Sequence, residues 1–228
     1  MPRPARRTRP FRPLTAVGLL LLAGLVGAGA PARAESTLRR AELSARLYET
    51  AQETRDPLLA LAAARLRKSV TAMQVEREPR REGAAAEGVV AAPQLLTWQE
   101  MLDTARTLAR GDAAILALAD GFSEGEVQAR GVPSGQVYSI TTIGAEARDI
   151  YPKLDFAGGE YAEVYVEATE PDADLKLRIT DAQGNLVCED ADMGPIAYCG
   201  WRPPQTGFFV LEVDNDSRVS SSYALITN

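Results

Sequence analysis

The chain has 228 residues, 46% hydrophobic and 25% charged, with 25 basic and 31 acidic side chains, two cysteines and no histidine. That is ordinary globular composition, long enough for one domain or two small ones. Without an imidazole, Ser-His-Asp and Cys-His nucleophile systems, HExxH metalloproteases and mixed His-ligated zinc sites are excluded, and two thiols cannot supply an all-cysteine zinc site.

Residues 1–34 carry Arg3, Arg6, Arg7, Arg9, Arg12 and Arg33 and no acid. An apolar run from Leu14 to Val26, interrupted by Gly18 and Gly24, leads to Ala32-Arg33-Ala34. A basic start, a short apolar stretch and an A-x-A site read as a secretory signal peptide, and the run is short for a membrane span. Removing it takes away six arginines and moves the net charge from −6 to −12. So acidic a chain repels phosphates and anionic lipid heads, so nucleic acid and membrane surfaces are poor partners. After cleavage no membrane span is expected, and the location is periplasmic or secreted, where a disulfide is permitted.

Residues 35–126 are rich in Ala, Leu, Arg and Glu and predict helices, whereas 127–228 turn to Val, Ile, Thr, Tyr and Gly and predict strands. Leu38, Ala41, Ala45 and Tyr48 fall at helical spacing. Asp56-Pro57 caps and starts a second helix. Residues 77–93 show no sustained period and read as a flexible linker. Thr97 with Glu100 makes a capping box for a third helix, and Gly111-Asp112 ends it and caps a fourth. Two helical hairpins packed on each other would explain the weak echo between these halves.

Eight short strands follow, at 136–143, 150–156, 160–168, 175–179, 186–188, 196–201, 208–213 and 223–227. In the third, Ala162, Val164 and Val166 take one face and Tyr161, Glu163, Tyr165 and Glu167 the other. Leu175, Leu177 and Ile179 oppose Lys176 and Arg178 in the fourth. Period-2 alternation predicts one buried and one wet face, and the spacing suits an antiparallel sandwich. The fold class is therefore α+β, with helical hairpins ahead of a β-sandwich.

Phe156-Ala157-Gly158-Gly159-Glu160, Asp174-Leu175-Lys176-Leu177, Asp181-Ala182-Gln183-Gly184-Asn185-Leu186-Val187, Trp201-Arg202-Pro203, the run Gly207 to Asn215, and Tyr223-Ala224-Leu225 follow one another in order. Over about residues 131–228 this resembles the bacterial pre-peptidase C-terminal domain. The resemblance implies a jelly-roll-like sandwich acting as an accessory or substrate-binding module beside secreted peptidases, with calcium or collagen binding in some relatives. No peptidase domain accompanies it here.

Cys188 and Cys199, the only thiols, are expected to form a structural disulfide. Tyr161 and Tyr165 with Lys176 and Arg178 form a candidate ligand face for a sugar or peptide, the competing reading being that the rings pack against Lys and Arg stems or under the helices. Asp172, Asp174, Asp190 and Asp192, with Asp181 and Glu189 nearby, are candidate calcium ligands, against the reading of ordinary turn chemistry. No other cofactor is expected. Trp201 reads as core. The function expected is an exported, non-enzymatic binding or interaction module for a protein or glycan. A calcium-stabilised accessory domain is the alternative, and a carboxylate-only hydrolase a more distant one.

Overall fold

Four short polar side chains start four helices. In a computed structural model, which describes residues 36–70, 72–89, 91, 95–124 and 136–228, the Ser36 side chain accepts from the Arg39 N–H at the head of α1 (Thr37–Thr54). Asp56 accepts from Leu58 and Leu59 at the head of α2 (Pro57–Arg67). Thr97 and Glu100 form the expected capping box on α3 (Trp98–Ala109), and Asp112 accepts from Ala114 and Ile115 at α4 (Ala113–Glu124). Each cap satisfies an N–H that the helix cannot, for about 1 kcal/mol. The two hairpins meet through small residues: Ala63 and Ala64 pack with Met101, Leu102 and Ala119, and Ala51 and Ala60 with Ala105. Lys68 Nζ sits 4.6 Å from the Trp98 ring and 4.7 Å from Phe122, tying α2 to α3 and α4. The proposed leader lies outside the described residues. Among the described residues no helix is long and apolar enough to cross a membrane.

Between the hairpins run β1 (Met73–Gln74) and β2 (Arg80–Glu82). Then come β3 (Val137–Ile143), β4 (Ala147–Phe156), β5 (Ala162–Ala168), β6 (Leu175–Thr180), β7 (Leu186–Asp190), β8 (Ile196–Trp201), β9 (Gly207–Asn215) and β10 (Ser221–Thr227). The eight strands from β3 onward fall where the alternation placed them. The first sheet has the order β1-β3-β10-β5-β8 and the second β2-β4-β9-β6-β7. All pairings among β3–β10 are antiparallel, and this interleaved order is that of a jelly roll. Inward residues of both sheets form one core: Val164, Val166, Tyr223 and Leu225 face Leu175, Leu177, Ile179, Leu211 and Val213. Phe156, Trp201 and Phe209 stack edge to face at one end, with centroids 4.8 to 5.8 Å apart. Gly184, at φ 83°, makes the turn between β6 and β7. Cys188 on β7 is bonded to Cys199 on β8, with Cα atoms 5.9 Å apart, joining the second sheet to the first.

Three features refine the sequence reading. Within the stretch 77–93 expected as a linker, Arg80–Glu82 form β2, and Met73–Gln74 just ahead of it form β1. They add a parallel edge strand to β3 and an antiparallel one to β4, strapping across both sheets. Two contacts hold the strap. Arg81 forks onto Asp149, with Nε to Oδ1 at 2.7 Å and Nη2 to Oδ2 at 2.8 Å. Gly144 lies so close to Ala84 that an added Cβ would stand 2.7 Å from the Ala84 carbonyl carbon. Helices and sandwich belong together as well: residues 35–228 form one compact unit. Finally, the outer face of β5 is not wet. Leu38, Ala41 and Ala45 of α1 pack on Tyr165, Ile196 and Ile226, and Glu163, Tyr165 and Glu167 are all buried.

Candidate functional site: the two outer faces of the sandwich

The two sheets present opposite situations to a partner. The first is covered by α1 and α2, and the seal is ionic as well as apolar. Arg67 bonds Glu167 at 2.8 and 2.9 Å, with Tyr165 fully buried beside them. Burial alone disfavours the guanidinium charge, but the attraction of Glu167 outweighs it and holds the Arg67 pKa above its ordinary value.

Among the described residues no helix packs on the second sheet, and its outer residues form charge rows fixed by strand register. One row runs Glu82, Arg148, Asp214, Lys176 across β2, β4, β9 and β6. The next runs Arg80, Ile150, Glu212, Arg178, Glu189 and reaches β7. Opposite charges directly across strands attract. Arg148 Nη2 donates to Asp214 Oδ2 at 3.2 Å and approaches Glu212 at 3.9 Å, and Lys176 pairs with Asp216. The hydrogen bonds that Arg148 donates to Asp214 raise its pKa, so its guanidinium stays charged. At one end of the rows is an open cleft of about 530 Å³, lined by Glu82, Gly83, Glu146, Ala147, Arg148, Asp214 and Asp216. At the start of β9, the end away from Asp214, Phe208 is exposed, with Lys153 Nζ 5.6 Å from its ring.

The four residues of the candidate ligand face do not share a face. Lys176 and Arg178 lie on the outer side of the second sheet, whereas Tyr161 and Tyr165 belong to the first. β5 and β6 are consecutive strands in different sheets, so neighbours in sequence part company. Tyr165 is sealed under α1, and only Tyr161, 42% exposed, meets solvent.

The candidate calcium ligands are engaged in turns. Asp174 Oδ1 accepts from the Gly194 N–H at 3.1 Å. Asp190 accepts from the N–H groups of Asp192 at 3.1 Å and Tyr198 at 2.8 Å, with Arg46 3.7 Å away. Asp172 is exposed. Among the described residues no group of three or more His, Cys, Asp or Glu is placed to hold a metal ion.

Two polar networks escaped the sequence reading. Between the sheets, Tyr223 Oη donates to the fully buried Asp149 at 3.0 Å and meets Tyr151 Oη at 2.7 Å. Burial pushes the Tyr151 phenol above its ordinary pKa. Beyond the first turn of α1, Ser36 Oγ and Tyr198 Oη both donate to Glu163 Oε1, Tyr198 at 2.6 Å. Period-2 alternation put Glu163 on an outer face, but nothing in it said that a helix would cover that face.

No family model matches the chain, and no curated protein matches it either. Among solved structures, a mitogen derived from Yersinia pseudotuberculosis is 14% identical over 41% of this chain and 85% of its own, with a TM-score of 0.33. The pre-peptidase C-terminal domain of a collagenase from Bacillus anthracis is 10% identical over 42% of this chain and 79% of its own, with a TM-score of 0.26. The C-terminal CBM6 of a marine laminarinase from Zobellia galactanivorans is 11% identical over 38% and 76%, at 0.25.

Proposed function

We propose that the chain is an exported, non-enzymatic binding module, periplasmic or secreted, whose contact surface is the open outer face of the second sheet. The observation that carries this reading is the asymmetry of the sandwich. One outer face is sealed by helices and a buried ion pair, while among the described residues no helix packs on the other, whose charges are held in register. A rigid array of alternating charge selects a partner by complementarity and sets orientation and on-rate more than raw affinity. It suits a polypeptide whose own charges can be matched row by row. The order of motifs over residues 131–228 supports an accessory role of the pre-peptidase C-terminal kind. The buried carboxylates Asp149 and Glu167 are committed to arginines, which favours binding over hydrolysis.

The test is affinity capture with the exported chain and with its Arg178→Glu/Glu212→Lys double variant, which keeps an opposite-charge pair but reverses its direction. A partner that binds the parent and is lost from the variant, with equal melting temperatures, supports the reading. Capture unchanged by reversal overturns it.

A further inference from the structure

The row Glu82, Arg148, Asp214, Lys176 runs minus, plus, minus, plus across four neighbouring strands. Strict alternation over an even number of places makes a row the complement of its own reverse. Turned end for end and laid on a second copy, each charge meets its opposite. The pleat puts the four on the outside, because the flanking residues Asp149, Val213 and Leu177 are fully buried. Their side chains keep 50%, 43%, 20% and 32% of their surface exposed, in row order. Arg148 and Asp214 already bond each other within one copy. Two such pairs brought face to face close a square of alternating charge, and a network of this kind gains where an isolated surface pair contributes little.

We infer that the chain associates with a second copy of itself through the outer face of the second sheet, as a weak two-fold dimer centred on Arg148 and Asp214. This rests on the reading of that face as the contact surface, and it names the partner. The two-fold axis lies in the face, parallel to the strands and midway between β4 and β9. Arg148 of each copy then meets Asp214 of the other, and Glu82 meets Lys176 at both ends, the reciprocal pairing of an isologous contact. Two features keep the association weak. With strands about 4.8 Å apart the row is roughly 15 Å long, which makes a small interface. In the adjacent row the same axis sets Arg80 of one copy against Arg178 of the other, like against like.

The experiment is sedimentation velocity of the exported chain over a range of protein concentrations up to about 1 mM. A monomer–dimer equilibrium is expected at about 50 mM salt, and a weaker one at about 500 mM, where screening shortens the reach of exposed charges. Arg148→Glu and Asp214→Lys each place like charges at the axis and should each weaken the dimer about tenfold or more. An equal mixture of the two variants should dimerise again, because one copy then carries both negative charges at the axis and the other both positive ones. Arg178→Glu changes the net charge by the same amount as Arg148→Glu yet should tighten the dimer, since it turns the opposition of Arg80 and Arg178 into attraction. All are surface changes, so melting temperatures should match that of the parent. A chain that stays monomeric throughout at the lower salt overturns the dimer. So does a dimer indifferent to Arg148→Glu and Asp214→Lys, or one that Arg178→Glu weakens as much as Arg148→Glu does. A monomer that still captures a foreign partner, lost from Arg178→Glu/Glu212→Lys, overturns self-association and leaves the second-sheet reading standing.

Discussion

Arg67 and Glu167, one hundred residues apart, meet in a two-point bond of 2.8 and 2.9 Å between the end of α2 and the outer face of β5. Arg67 Nε also donates to Ser44 Oγ at 3.2 Å, and Ser44 Oγ donates to the Ala63 carbonyl at 3.0 Å, so the pair is anchored to both helices of the first hairpin. Removing one member of such a pair leaves an uncompensated buried charge. Arg67→Met should therefore destabilise by about 3–5 kcal/mol in urea unfolding, and Arg67→Met/Glu167→Leu should recover most of the loss.

The strap predicts how the chain can be cut. Residues 127–228 alone would lack β1 and β2, leave Asp149 without Arg81, and expose Tyr165 and Ile226. That fragment should show no cooperative melting transition by calorimetry, whereas residues 35–228 should unfold in a single one. In the full chain Gly144→Ala forces the Ala84 backbone away and should cost about 1–3 kcal/mol, the range for overpacking.

Acid sensitivity should trace in part to Glu170. Burial acts to raise its pKa, but donors from Ser221, Thr169 and the Ser222 N–H outweigh that and hold it below the ordinary 4.5. The folded state thus binds its proton less readily than the unfolded chain. The contribution to stability is complete above the ordinary glutamate value and is lost as pH falls through the folded value. Melting curves between pH 6 and pH 3 should show a shallower acid limb for Glu170→Gln than for the parent.

The Cys188–Cys199 bond closes a short loop between strands of different sheets, at a sequence separation of 11. Replacing both cysteines by alanine should lower stability by about 2–3 kcal/mol, the chain-entropy figure for a loop of this size. Binding at the outer face of the second sheet should survive below the lowered melting temperature, because neither sulfur takes part in the charge rows.

Most of the architecture was legible because it rests on local signals. The caps at Asp56, Thr97 and Asp112 and the alternation at Leu175, Leu177 and Ile179 follow from a few adjacent residues, as does the turn at Gly184. The strap was invisible for the opposite reason. Arg80, Arg81 and Glu82 show no apolar alternation, and the partner that orders them, Asp149, lies 68 residues away. The site was legible only in part. Alternation found Tyr161, Lys176 and Arg178 as outward residues, but it cannot say which sheet a strand joins or what covers an outer face. Alternation therefore left open whether Tyr165 met a ligand or packed under the helices, and gave no sign that α1 lies over it or that Ser36, the cap of that helix, bonds Glu163.

β10 lies in the middle of the first sheet, hydrogen-bonded to β3 on one side and to β5 on the other. It is the last strand in the fold to be synthesised, yet two earlier strands have no direct connection until it arrives. Assembly must therefore wait for translation through Thr227. A nascent chain halted before that point keeps the facing edges of β3 and β5 unpaired.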